Sequence, residues 1–202
     1  MPIAKETGHT FEPVPAGTHI ARCCAVISLG TQPQDNPKFA DLFKVLVMWE
    51  VPGELIEYNG EKKPMIISKE YTLSLGEKSN LRRDLEGWRG KQFTADELKG
   101  FDVAKVCGAP CMFSVVHKTT SGGRVYGAIT SVSALPKGTV CPPAVHSPQV
   151  YEIEDGKDET FQNLPEWVQK KIEQCVEWTR PVTEAEPEPE PEPEPDPTDI
   201  PF

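Results

Sequence analysis

Apolar and polar positions along the chain follow two periods. Between about Asp41 and Val51, Phe43, Val45, Val47, Trp49 and Val51 alternate with Leu42, Lys44, Leu46, Met48 and Glu50. A period of two with one strongly apolar side predicts a strand. Similar patterns predict strands from about His19 to Leu29, Pro64 to Leu75, Pro110 to Thr119 and Arg124 to Leu135. Pro52-Gly53 is expected to open a loop and Asn59-Gly60 to make a tight turn. Ser121-Gly122-Gly123 has the composition of a hairpin turn. After the third strand the period lengthens. Leu81, Leu85 and Trp88 fall at i, i+4 and i+7, so the SNLRRDLEGW segment predicts a helix with one apolar stripe. Thr94 and Glu97 read as a capping box, with Phe93 and Leu98 as its hydrophobic staple, opening a second short helix that Gly100 stops.

The order strand, strand, strand, helix, strand, strand predicts a mainly β domain: a five-stranded OB-type Greek-key barrel over residues 1–150, with the helix between strands three and four plugging one end. The same order is compatible with a compact α+β domain of another kind. Residues 136–160, with four prolines, read as loop or linker. A last amphipathic helix is expected from about Leu164 to Thr179, capped by Asn163 with Glu166, so that 151–180 form a linker and helix. Its wide apolar face must pack on the barrel or on a second copy, leaving monomer and homodimer open.

Charge changes this picture. The net charge of −10 is concentrated behind the barrel. Residues 181–202 hold eight acids and no base, whereas residues 1–149 hold 15 acids and 17 bases. A slightly basic body thus precedes an acidic tail, and an anionic partner is not excluded. The Pro-Glu alternation from Pro181 cannot build a core and is expected to be disordered, with a reach of roughly 60 Å. It ends on Asp199-Ile200-Pro201-Phe202. Ile and Phe suit an apolar pocket, and Asp199 and the terminal carboxylate suit basic groups at its rim.

No apolar run approaches the ~20 residues of a membrane helix, and the N-terminus has no signal-peptide pattern. A cytoplasmic protein with no membrane partner and reduced cysteines is expected. There is no C-x-x-C pair, P-loop, G-x-S-x-G or H-E-x-x-H, so the expectation is a non-enzyme without metal or other cofactor.

The chain's last residues resemble the tail of bacterial single-stranded DNA-binding proteins (SSB), which finish on an acidic stretch and Ile-Pro-Phe. Here most acids are glutamates set further back. The body resembles phage-encoded SSB proteins over about residues 15–138, through YTLSLGEKSNLRRDL, WRGKQFTADELKGFD and GAPCMFSVVH. The resemblance implies an OB fold that coats single strands and a tip, Asp199 to Phe202, that recruits replication and recombination enzymes in a bacterial host cytoplasm.

An OB barrel holds single strands across strands two and three and the one–two and four–five loops, using cations for phosphates and rings for stacking. Those segments offer Lys38 and Phe39, Lys44, Lys69 and Tyr71, Lys118, Arg124 and Tyr126; Arg22 is added from strand one. Each also has an ordinary reading, the tyrosines as half-buried sheet residues, Phe39 as a barrel closure and the lysines as solvated surface. Trp49 and Trp88 read as core. The acidic tail is expected to compete with DNA for the basic groove. The alternative is an interaction adaptor whose tail is bait and whose body binds no DNA.

Overall fold

The structure, a computed structural model, describes residues 12–34, 36, 38–58 and 60–179. Its strands are β1 (Gly17–Gln32), β2 (Leu42–Tyr58), β3 (Glu61–Thr72), β4 (Pro110–Thr119) and β5 (Val125–Ser133). They form a mainly antiparallel sheet in the order β3-β2-β1-β4-β5, and a short β6 (Gln149–Tyr151) pairs parallel to β1. The helix α1 (Asn80–Arg89) lies between β3 and β4. The fold is therefore mainly β. The two edge strands lean together, since a Cβ added at Gly127 of β5 would stand 3.4 Å from Ile67 Cδ1 of β3. Strand two does not stop at Pro52-Gly53 as expected. Its pairing with β3 shifts between Val51 and Leu55, so the extra residues are absorbed as a bulge and the hairpin runs on to Tyr58.

Alternation decides what each face meets. Val45, Val47, Trp49 and Val51 point to one side, opposite Tyr71, Lys69, Ile67 and Met65. This inner face holds the larger core, where Leu81, Leu85 and Trp88 of α1 seat. The Trp49 ring lies 5.8 Å from that of Trp88 and 6.0 Å from that of Phe113. Trp88 Nε1 donates to Pro110 O at 2.8 Å, so the buried indole keeps a partner. Ser79 caps α1 by accepting from Arg82 N. The Thr94/Glu97 capping box forms, with Glu97 N to Thr94 Oγ1 at 3.3 Å and Thr94 N to Glu97 Oε2 at 2.9 Å. What it opens is a single 3-10 turn, Glu97–Lys99, rather than an α-helix.

The outer face of β1 and β2 carries a second core: Ala25, Ile27, Leu29, Leu46 and Met48 beneath Tyr151, Ile153, Phe161, Leu164, Val168, Ile172 and Cys175. The segment expected as linker and helix is thus a second layer. A short α2 (Glu159–Asn163) forms ahead of the expected helix, and that helix is itself broken into α3 (Glu166–Ile172) and α4 (Val176–Thr179). Asn163 does not cap α3; its Nδ2 donates back to Glu159 O, and Pro165 holds the N-cap position without a side-chain bond. The break after Ile172 has a packing cause. Cys175 lies against Gly30, whose φ of 68° and lack of a Cβ permit the approach; an added Cβ would stand 2.8 Å from Cys175 Cβ. Glu177 then accepts from Thr31 N at 2.9 Å and from Thr31 Oγ1 at 2.6 Å. Each fully buried side chain here, such as Val168 or Ile172, contributes about 1.5–3 kcal/mol. Among the described residues, no helix is long and apolar enough to cross a membrane.

Candidate nucleic-acid interface

The nine candidate side chains of the body separate into two groups. In β2 and β3 they are engaged in internal contacts. Lys44 pairs in register with Thr72, and Val45 with Tyr71, so Lys44 faces outward while Lys69 and Tyr71 face the inner core. Tyr71 is 4 % exposed, and its hydroxyl donates to Asp84 Oδ2 at 2.9 Å. Burial first, and then the Asp84 charge, push its phenol well above the usual range. Lys69 Nζ reaches the same Asp84 oxygen at 2.6 Å and lies 5.1 Å from the Tyr71 ring centroid. Lys44 pairs with Glu70 at 2.8 Å, and Lys171 of α3 closes on the same carboxylate. Burial pushes the Glu70 carboxyl up, but hydrogen bonds and charge from Lys171 and Lys44 together hold it below its ordinary value. Arg22 of β1 donates to Gly108 O at 2.8 Å and Pro142 O at 3.1 Å, tying two loops to the sheet.

The other group is exposed. Lys118 and Tyr126 are directly opposite one another on β4 and β5, and Thr119 pairs with Val125. Tyr126 is 41 % exposed. Lys118 and Arg124 are also exposed, and their side chains have no ion-pair or hydrogen-bond partner among the described residues. The turn between them is closed by Gly123 N to Thr120 O at 2.9 Å and Thr120 N to Arg124 O at 2.9 Å. The result is a two-stranded ribbon with a ring, a cation across from it and a second cation at the tip. Lys38 and Phe39 lie on the loop between β1 and β2, Phe39 being 66 % exposed.

Register sets these two exposed places apart along β1. Gly17, at the start of β1, pairs with Val115, so the β4–β5 tip projects beyond that end. Gln32, at the other end, pairs with Leu42, so the loop with Phe39 lies there. Asp199, Ile200, Pro201 and Phe202 are outside the described residues.

Sequence reading missed the partners that engage the first group. Asp84 and Glu70 are the residues concerned, and a lone carboxylate on a helix or strand gave no sign of its cation. It also missed the exposed Val116, Val125, Leu42 and Leu73. Leu73 N donates to Phe43 O at 2.8 Å, which places it next to Leu42 at the end of the sheet. A cleft of about 430 Å³ lies there, lined by Lys44, Tyr71, Thr72, Lys78 and Ser79 among others. Among the described residues no group of three or more His, Cys, Asp or Glu is placed to hold a metal ion. No family model and no curated protein matches this chain.

Proposed function

We propose that the protein is a non-enzymatic, sequence-independent binder of single-stranded DNA, built on an OB-type barrel, that engages the strand through the β4–β5 hairpin. The observation that carries this reading is the exposed pairing of Lys118 with Tyr126, with Arg124 beside them and, among the described residues, no acid closing on either cation. A base stacked on Tyr126 contributes about 1–3 kcal/mol, and Lys118 and Arg124 neutralise the flanking phosphates. Every base has a π-face, so the contact needs no particular sequence. The strand order β3-β2-β1-β4-β5, with a helix between strands three and four, supports the OB reading. The resemblance to phage SSB proteins supports it too, and so does the slightly basic body in front of an acidic tail. On this reading the tip, Asp199 to Phe202, recruits replication and recombination enzymes, and the tail competes with DNA for the body's cations.

Fluorescence anisotropy with labelled oligo(dT) at two salt concentrations tests the reading, using the full chain and residues 1–180. Binding that weakens with salt, with a slope of about −0.7 per phosphate contacted, is expected. Tighter binding by the shorter chain at low salt is expected from tail competition. No salt-sensitive binding by either form overturns the proposal and favours the adaptor reading.

A further inference from the structure

Cys23 and Cys107 take no part in the hairpin site, yet the segments that carry them are bonded to each other. Cys23 is fully buried on β1. Cys107 follows the 3-10 turn Val103–Val106 and is partly exposed. Cys23 N donates to Ala109 O at 3.0 Å, and Gly108 N donates to Cys23 O at 2.9 Å. These bonds pin the strand that carries one cysteine to the segment directly after the other. Cys23 Sγ donates to Ala25 O at 3.6 Å and Cys107 Sγ to Gln149 O at 3.3 Å, and Ala25 is the register partner of Gln149 across β1 and β6, so both thiols lie at one level of the sheet. We propose that Cys23 and Cys107 form an oxidisable dithiol, with Cys107 as the sulfur that meets a peroxide and Cys23 as the one that resolves it into a disulfide.

The chemistry balances. The Cys107 thiolate attacks one peroxide oxygen; the O–O bond breaks, and the leaving hydroxide takes a proton to become water. Cys107 is then a sulfenic acid, oxidised by two electrons. The Cys23 sulfur attacks it, the S–S bond forms, and the sulfenic oxygen leaves as water with the proton of Cys23. The division of labour follows from the surroundings. Cys107 is the partly exposed sulfur and Cys23 the buried one. The neighbouring Cys23 thiol, against burial, brings the Cys107 thiol down to about 7. The Cys107 neighbour and burial push Cys23 far up. Burial also raises Cys24, to about 12, and raises Cys111, Cys141 and Cys175. Closure would fasten the turn ahead of β4 to β1.

The test exposes the full-length protein to stoichiometric hydrogen peroxide at pH 7, alkylates it under denaturing conditions and maps the peptides. The expected result is loss of two of the six thiols, a cross-link fragmenting to Cys23 and Cys107, and reversal by dithiothreitol. Cys107→Ser should lose no thiol under the same dose. In the untreated native protein, Cys107 should alkylate first, with a half-maximal rate near pH 7; this holds the test open if the variant folds poorly. Six thiols surviving, a link through another pair, or alkylation of Cys107 no faster than its neighbours overturns the proposal.

Discussion

The β2–β3 pair and the β4–β5 hairpin carry the same kinds of side chain, a tyrosine with lysines, to opposite ends. In β3, Lys69 and Tyr71 converge on Asp84 of α1, and the cation is spent within the fold. In the hairpin, Lys118 and Tyr126 are exposed, with no acid closing on the lysine among the described residues. The difference lies in what packs above each strand. α1 crosses the inner face of β3 and brings a carboxylate, whereas the hairpin tip runs past the start of β1, where no described element covers it. A cation and a ring make a ligand site only where the fold supplies no counter-charge.

The comparison is broken most forcefully at Asp84. Asp84→Ala leaves Lys69 and the Tyr71 hydroxyl in the core without their acceptor. It should cost about 3–5 kcal/mol in urea denaturation; a near-neutral result would mean that these residues are not structural. Gly30→Ala comes next. A Cβ there meets Cys175 in a left-handed backbone conformation, so about 1–3 kcal/mol should be lost, with earlier proteolysis of 173–179 than in the parent. Tyr71→Phe removes one hydrogen bond while Lys69 still satisfies Asp84, and should cost about 1 kcal/mol with oligo(dT) affinity unchanged. The smallest effect is in pH. The Glu70 carboxyl titrates lower in the folded chain than in the unfolded one. Its stabilisation is therefore complete above its ordinary pKa, near 4.5, and is lost as pH falls through the lower folded value. Glu70→Gln should flatten the acid limb of a stability–pH curve below about pH 5, and an unaltered limb would contradict the Lys44–Glu70–Lys171 arrangement.

Much of the fold was legible because β2 is more strongly apolar on one side than on the other, even though both faces of β1 and β2 are covered. The alternation from Val45 to Val51 named the inner face before any register was known, although Phe43, the first residue of the expected stripe, packs against the second core; the Leu81, Leu85 and Trp88 stripe named the face of α1 that meets the inner face. Three features were hidden. β6 is three residues long in a proline-rich stretch, too short for any period to declare. The break between α3 and α4 depends on Gly30, over a hundred residues earlier in the chain. Lys44 and Tyr71 seemed to share a surface because each lies on a strand of the expected groove; the pairing of Val45 with Tyr71 turns them to opposite faces. Alternation assigns residues to one side or the other of their own strand, but register and counter-charges decide which side chains remain available to a ligand, and both are properties of distant residues.

The most direct test of the hairpin's role is oligo(dT) affinity at low salt for Tyr126→Ala beside Tyr71→Phe, each with its urea denaturation curve. The account predicts that Tyr126→Ala weakens binding by about 1–3 kcal/mol while its denaturation midpoint stays close to the parent's, and that Tyr71→Phe does the reverse. Full affinity in Tyr126→Ala, or an equal loss in Tyr71→Phe at unchanged stability, would contradict it.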